Sequence, residues 1–236
     1  MNTFTYNSVS SKSFHCLISG EDTFGKPAPD AEHIQVPGRN GDLILPGKRF
    51  QNLEITYHCI IKKDFPINYQ SLGEHLLKDQ DYHRLEDTFH PGFFRMAVFD
   101  SRINPSMLAL NKHGTFDLVF SCKPQMYLVG GETTAVFTSN GYINNPTKFE
   151  AKPLLRVYGV GDILVNGRTI HINSHSNPYI DLDCELEEAY CGNTNCNSLI
   201  ILRTNNAFPV LQPQSNYIGL GSGISKVIVT PRWWTI

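Results

Sequence analysis

Apolar and polar residues alternate with a period of two over much of this chain, in runs too short for helices. Residues 14–18, 33–36, 53–61, 93–99 and 115–120 are rich in β-branched and aromatic side chains, with Pro, Gly, Asn and Asp gathered between them. Such runs read as strands bounded by turns. Asn40-Gly41 lies in one of the gaps and predicts a two-residue hairpin turn, because both positions tolerate positive φ. One segment departs from this pattern. Phe65, Tyr69, Leu72, Leu76 and Leu77 recur mostly at spacings of three and four. That periodicity predicts a helix over 65–77, started by Asp64 and Pro66 and packed on a sheet by its apolar stripe.

Between Gly130 and Pro146 the chain turns to Gly, Thr and Asn, with little to pack beyond Val136, Phe137 and Tyr142. A domain boundary is expected there, giving an N-terminal domain over 1–134 and a C-terminal domain over 135–236. Strand-like runs resume at 154–158, 162–165, 169–172, 179–182, 199–202, 216–218 and 226–230. Seven short strands separated by turns predict a β-sandwich. The fold class expected is therefore mainly β with one helix, in two domains.

Composition narrows the function classes. Charged residues make up 18% of the 236 residues, against about 25% in typical globular chains. Fourteen Phe and ten Tyr accompany this low charge, as suits a protein that covers much of its surface with partners. Residues 1–130 hold 13 Lys/Arg against 14 Asp/Glu, and residues 131–236 hold 7 against 8. Neither part has the basic balance of a nucleic-acid binder. The N-terminus lacks the basic start and apolar stretch of a signal peptide. The longest clear aliphatic run, 199–202, is too short to span a membrane. The expectation is a soluble protein of a reducing cytoplasm with no disulfide framework among its six cysteines, those at 184, 191 and 196 being read as free thiols or a surface pair.

Candidate chemistry is sparse. G-D-L-I-L-P-G-K over 41–48 resembles a phosphate loop, but it has five residues between its glycines and Arg49 where Ser or Thr would hold magnesium. G-L-G-S-G over 219–223 reads as a loop joining strands. Asp181, Asp183, Glu185, Glu187 and Glu188 form the densest acidic cluster, and D-L-D-C-E-L-E alternates strictly. On a strand this places the first four acids on one solvated or interface face, with Leu182, Cys184 and Leu186 on the other. Paired carboxylates also serve glycosidases and calcium sites, so a cell-wall hydrolase is a rival reading. Cys184, Cys191 and Cys196, with His171 and His175 nearby, lack the C-x2-C pairs of structural zinc. His175-Ser-Asn177-Pro178 echoes part of the galectin sugar site, but Tyr179 stands where Arg is expected. It leaves a lectin-like, carbohydrate-binding module as the second rival. No catalytic residue, metal ligand or cofactor is assigned.

Four stretches together resemble one family: V-P-G-R-N-G-D-L over 36–43, R-F-Q-N-L-E-I-T-Y over 49–57, S-C-K-P-Q-M-Y over 121–127 and the terminal P-R-W-W-T-I over 231–236. Their order and spacing are similar to those of distal tail proteins (Dit) of siphophages and prophages of Gram-positive bacteria. The resemblance implies an N-terminal domain assembled as a homohexameric ring and a C-terminal galectin-like β-sandwich projecting outward. It implies a virion protein of the tail tip, put together in the host cytoplasm. Its partners would be the tail tube protein, the tail-tip hub (Tal) protein and, in many relatives, receptor-binding proteins. DNA would pass through the ring without sequence-specific contact, and neither enzyme activity nor membrane insertion is implied. Arg39, Asn40 and Asp42 at the hairpin tip, with Arg49 and Phe50, are the candidates for ring or partner contacts. Trp233 and Trp234 are candidate anchors of the C-terminus, one facing the core and one facing out.

Overall fold

The computed structural model describes residues 1–108 and 112–236, apart from the side chains of Lys48 and Leu108. The chain forms two compact units, Met1–Met126 with Ile236, and Tyr127–Thr235. The division falls inside one continuous strand, His113–Leu128, ahead of the Gly/Thr/Asn-rich stretch. Part of that stretch forms the strands Ala135–Phe137 and Gly141–Asn145 of the second unit. No change in composition marks the division itself, because the strand pattern runs straight through it.

In the first unit a sheet runs in the order Val9–Ser10, Phe4–Tyr6, His83–Asp87, Phe93–Val98, His113–Leu128, Leu53–Ile61, Cys16–Ser19. Alternate residues of Leu53–Ile61 are buried, the pattern of a sheet with one covered face. Phe120 is the centre of the core, with Phe4, Tyr6, Tyr57 and Phe99 rings at 5.1–5.9 Å, spacings at which tilted and edge-on aromatic pairs attract. The sheet curls until its ends meet. Ile18 N–H donates to Asn2 O (3.1 Å), and the buried Ser11 hydroxyl accepts from Phe4 N–H and donates to Cys16 O.

The helix Phe65–Leu76 matches the periodicity, burying Phe65, Leu72 and Leu76. Pro66 occupies its first turn, whereas Asp64 takes a left-handed conformation (φ 46°) and makes no side-chain cap. Gly114 lets the helix seat: a Cβ there would stand 2.2 Å from the Phe65 ring. On the outer face of the sheet, His58 and Asp117 are directly cross-strand. His58 Nδ1 meets the Asp117 carboxylate at 2.7 Å and Nε2 meets Asp22 at 3.0 Å. The hydrogen bond to Asp117, then that to Asp22, raises the pKa of His58 above its ordinary 6.5. The clamp's contribution to stability is therefore complete below pH 6.5 and lost as pH rises through the elevated folded value. The stability gap between wild type and His58→Gln, followed by urea unfolding across pH, is expected to shrink on the alkaline side of 6.5.

The second unit is a β-sandwich. One sheet runs Ala135–Phe137, Ile224–Thr230, Leu154–Gly159, Ile180–Asp183, Glu188–Cys191, Thr194–Asn195. The other runs Gly141–Asn145, Gln214–Leu220, Gly161–Val165, Arg168–Ile172, Ile200–Leu202. Leu155, Val157, Val227 and Val229 of the first join Ile163, Val165, Ile170 and Ile218 of the second in one buried cluster, as two facing sheets require. Buried Asn216 is satisfied throughout, its amide donating to three carbonyls while its oxygen accepts from Asn166.

Two sequence expectations are corrected. The tight Asn-Gly hairpin turn is Asn166-Gly167, flanked by the paired Val165 and Arg168 with φ of 48° and 81°, and not Asn40-Gly41. The latter sits in a wider loop whose turn is made by Pro37-Gly38, with Arg39 N–H donating to Val36 O. Gly38 has φ 78°, as the third position of a type II turn demands. The acidic run is also not one solvated strand. Its strand stops at Asp183 and Cys184 to Glu187 form a turn. Asp181 and Asp183 are buried at 3% exposure, because arginines neutralise them. Arg156 donates Nε and Nη2 to Asp181, and Arg232 donates Nη1 and Nη2 to Asp183, all at 2.8 Å.

Candidate functional site

Among the described residues the strands Pro29–Ile34 and Leu43–Phe50 pair only with each other, as a two-stranded sheet inserted into the first unit. Their register sets Ile34 against Leu43 and Pro29 against Phe50, with an irregularity between Pro29 and Ala31. Gly47 fits there because a Cβ would meet Asp30 O at 2.8 Å. At the root, Gln51 N–H donates to Ala28 O, and Arg49 Nε donates to Asp30 at 2.5 Å. The Arg49 guanidinium, then the Gln51 amide, holds the Asp30 carboxyl below its ordinary range.

Toward the tip the side chains lack cover. Val36, Leu43, Ile44 and Leu45 are 38%, 39%, 57% and 45% exposed. Leu43, Ile44 and Leu45 are consecutive in a strand, so they point to alternating faces. Both faces of the ribbon are thus open and apolar, and its outer edges carry no partner strand among the described residues. A lone two-stranded ribbon is marginal in water, and unpaired edges are templates for another chain. The arrangement can join another protein by strand addition and apolar contact.

The contact candidates from the sequence do not form one patch. Arg39, Asn40 and Asp42 are exposed at the tip, where Asp42 lies 3.9 Å from His33 Nδ1. Arg49 and Phe50 sit at the root, about 20 Å away along the strand at 3.3 Å per residue. The apolar residues 43–45 between them lie in sequence that reads as a hairpin and its exit turn. An aliphatic run in a strand normally signals burial, so the sequence carries no mark of its exposure. Trp233 lies in the core of the second unit. Trp234 is half-buried, stacked on Phe149 at 4.5 Å, with its indole N–H donating to Glu150 O.

The other candidate sites are dispersed. Asn177 donates to Cys196 Sγ, both ring nitrogens of His175 are covered without a partner, and Tyr179 lies under the Arg156 guanidinium. These polar groups do not converge on an open sugar pocket. All six cysteines are free thiols, and burial pushes those of Cys184 and Cys196 up from their ordinary values. Among the described residues no three His, Cys, Asp or Glu side chains converge as metal ligands would, and no helix is long and apolar enough to cross a membrane.

The whole architecture has solved counterparts. The crystal structure of the Dit protein of phage SPP1, described as a paradigm of the hub adsorption apparatus in phages infecting Gram-positive bacteria, superposes with a TM-score of 0.76. The match covers 97% of this chain and 98% of that one. The fold is that of a phage Dit protein. A chain of the phage p2 baseplate in its activated conformation with Sr also matches, with a TM-score of 0.52 over the same shares. Both are 12% identical in sequence, so the Dit-like likeness is one of fold. No protein-family model and no curated protein sequence matches the chain.

Proposed function

We propose that this chain is a structural protein of a phage tail tip, assembling with copies of itself into a six-fold ring that joins the tail tube to the tail-tip hub. The Dit-like fold over nearly the full length carries this reading. The hairpin supplies the joining element. A closed ring needs two different, complementary surfaces on each subunit, and a ribbon with open edges and apolar faces is suited to be one of them. Covering three half-exposed aliphatic side chains contributes about 3 kcal/mol per subunit at 1.5–3 kcal/mol for each full burial. Arg39, Asn40 and Asp42 at the tip, and Arg49 and Phe50 at the root, would set register and orientation around that apolar strip. The β-sandwich unit would then be free to dock receptor-binding proteins.

A double change, Ile44→Glu with Leu45→Thr, tests the joining role. Both side chains are exposed in the single chain, so its melting temperature should stay within a few degrees of wild type. Its sedimentation profile should lack the six-copy species expected of the wild type. Unchanged assembly would remove the hairpin from the interface.

A further inference from the structure

The chain holds three Asn-Gly pairs, at 40–41, 140–141 and 166–167, and the structure treats them differently. Asn166 is held at both ends of its amide, donating to Asn216 Oδ1 and Val210 O and accepting from Tyr217 N–H. Asn140 accepts from Leu220 N–H at 2.8 Å, and Gly141 opens a strand in register with Ile218. Asn40 is exposed and makes no hydrogen bond among the described residues. Gly41 beside it has φ 79°, and the space where a Cβ would project is empty to 4 Å. A glycine in such a loop rotates with the least steric resistance of any residue.

We infer that Asn40 is a site of spontaneous deamidation, and that Asn140 and Asn166 are protected from it. The Gly41 backbone nitrogen loses its proton to solvent and attacks Cγ of Asn40. A C–N bond forms, the Cγ–Nδ2 bond breaks, and Nδ2 leaves as ammonia, closing a five-membered succinimide. Water then opens either carbonyl, giving aspartate or isoaspartate. The net reaction consumes one water and releases one ammonia, with no change of oxidation state. The step needs the Asn40 side chain and the Gly41 nitrogen to approach each other freely. The hydrogen bonds of Asn166, and the ladder that fixes Gly141, deny this at the other two pairs.

The product adds a negative charge next to Asp42 and, in the isoaspartate form, a methylene to the backbone of the hairpin tip. Both change the surface that the ring proposal uses, yet the chemistry does not depend on that proposal.

The test is peptide mapping by mass spectrometry of purified protein aged at neutral pH and physiological temperature, beside the same protein aged in denaturant. In denaturant all three pairs should convert. In the folded protein Asn40 should convert at a comparable rate, while Asn140 and Asn166 lag by roughly tenfold or more, as locally protected groups do. An Asn40 that survives in the folded protein while converting in denaturant overturns the inference, as do three equal rates in the folded protein. Asn40→Gln should abolish the early products without altering the other two sites, and early products persisting in that variant would also overturn it.

Discussion

Gly223→Ala is expected to destabilise the second unit by about 3–5 kcal/mol, a large part of the 5–15 kcal/mol that holds a typical domain together. Two turns of the sandwich interlock backbone to backbone. A Cβ on Gly223 would fall 2.2 Å from Val160 O, and one on Gly159 would fall 2.1 Å from Gly223 O. Val160 N–H donates to Gly223 O and Gly221 N–H to Asp162 O, so neither turn can retreat without breaking the other. The φ values of 91° and 110° add strain for any L side chain. Left-handed strain costs about 1–3 kcal/mol and overpacking a rigid site about as much again. Gly192→Ala is the control. It also has positive φ but nothing within 4 Å, so it should cost only about 1 kcal/mol. Urea unfolding followed by tryptophan fluorescence separates the two, because both tryptophans, 233 and 234, lie in this unit.

Removing Arg232 from the Asp183–Arg232 pair is expected to cost about 3 kcal/mol, since Asp183 is left buried without its counter-charge. The Asp183 side chain is 4% exposed and also accepts from Glu185 N–H and Leu186 N–H. Burial alone would raise its pKa. The two bonds from Arg232, helped by the Leu186 N–H, outweigh burial and hold it below its ordinary 3.8. A depressed carboxyl contributes stability that is present above the unfolded value and lost as pH falls through the folded one. Asp183→Asn should therefore be least stable relative to wild type at neutral pH, and the two urea midpoints should converge in acid below 3.8. A constant gap down to strong acid would mean that the charge of Asp183 does not carry the effect.

Sequence reasoning reached the parts of the fold whose cause is local. Period-two runs with one covered face, as in 53–61, became strands at nearly the expected residues. The helix followed from the spacing of Phe65, Leu72 and Leu76. What escaped it depends on partners distant in the chain. The acids at 181 and 183 alternate like a solvated strand, and only Arg156 and Arg232, 25 and 49 residues away, make them interior. Glycines 159 and 223 look like ordinary turn residues until each is seen against the other. Asn-Gly correctly signals a tight hairpin, but three copies compete for it. Asn166 takes that turn because strands of equal length flank it directly, whereas Pro37-Gly38 pre-empts Asn40. At the candidate site the charged tip was legible. The exposed Leu43–Ile44–Leu45 strip was not, since an aliphatic run ordinarily means burial.

The most direct test of the ring is the mass of the purified chain by light scattering, with negative-stain images of the same fraction. The account predicts six copies of the 26.6 kDa chain around a central opening, alone or as stacked rings. A protein that stays monomeric at every concentration, with its hairpin intact, would contradict it.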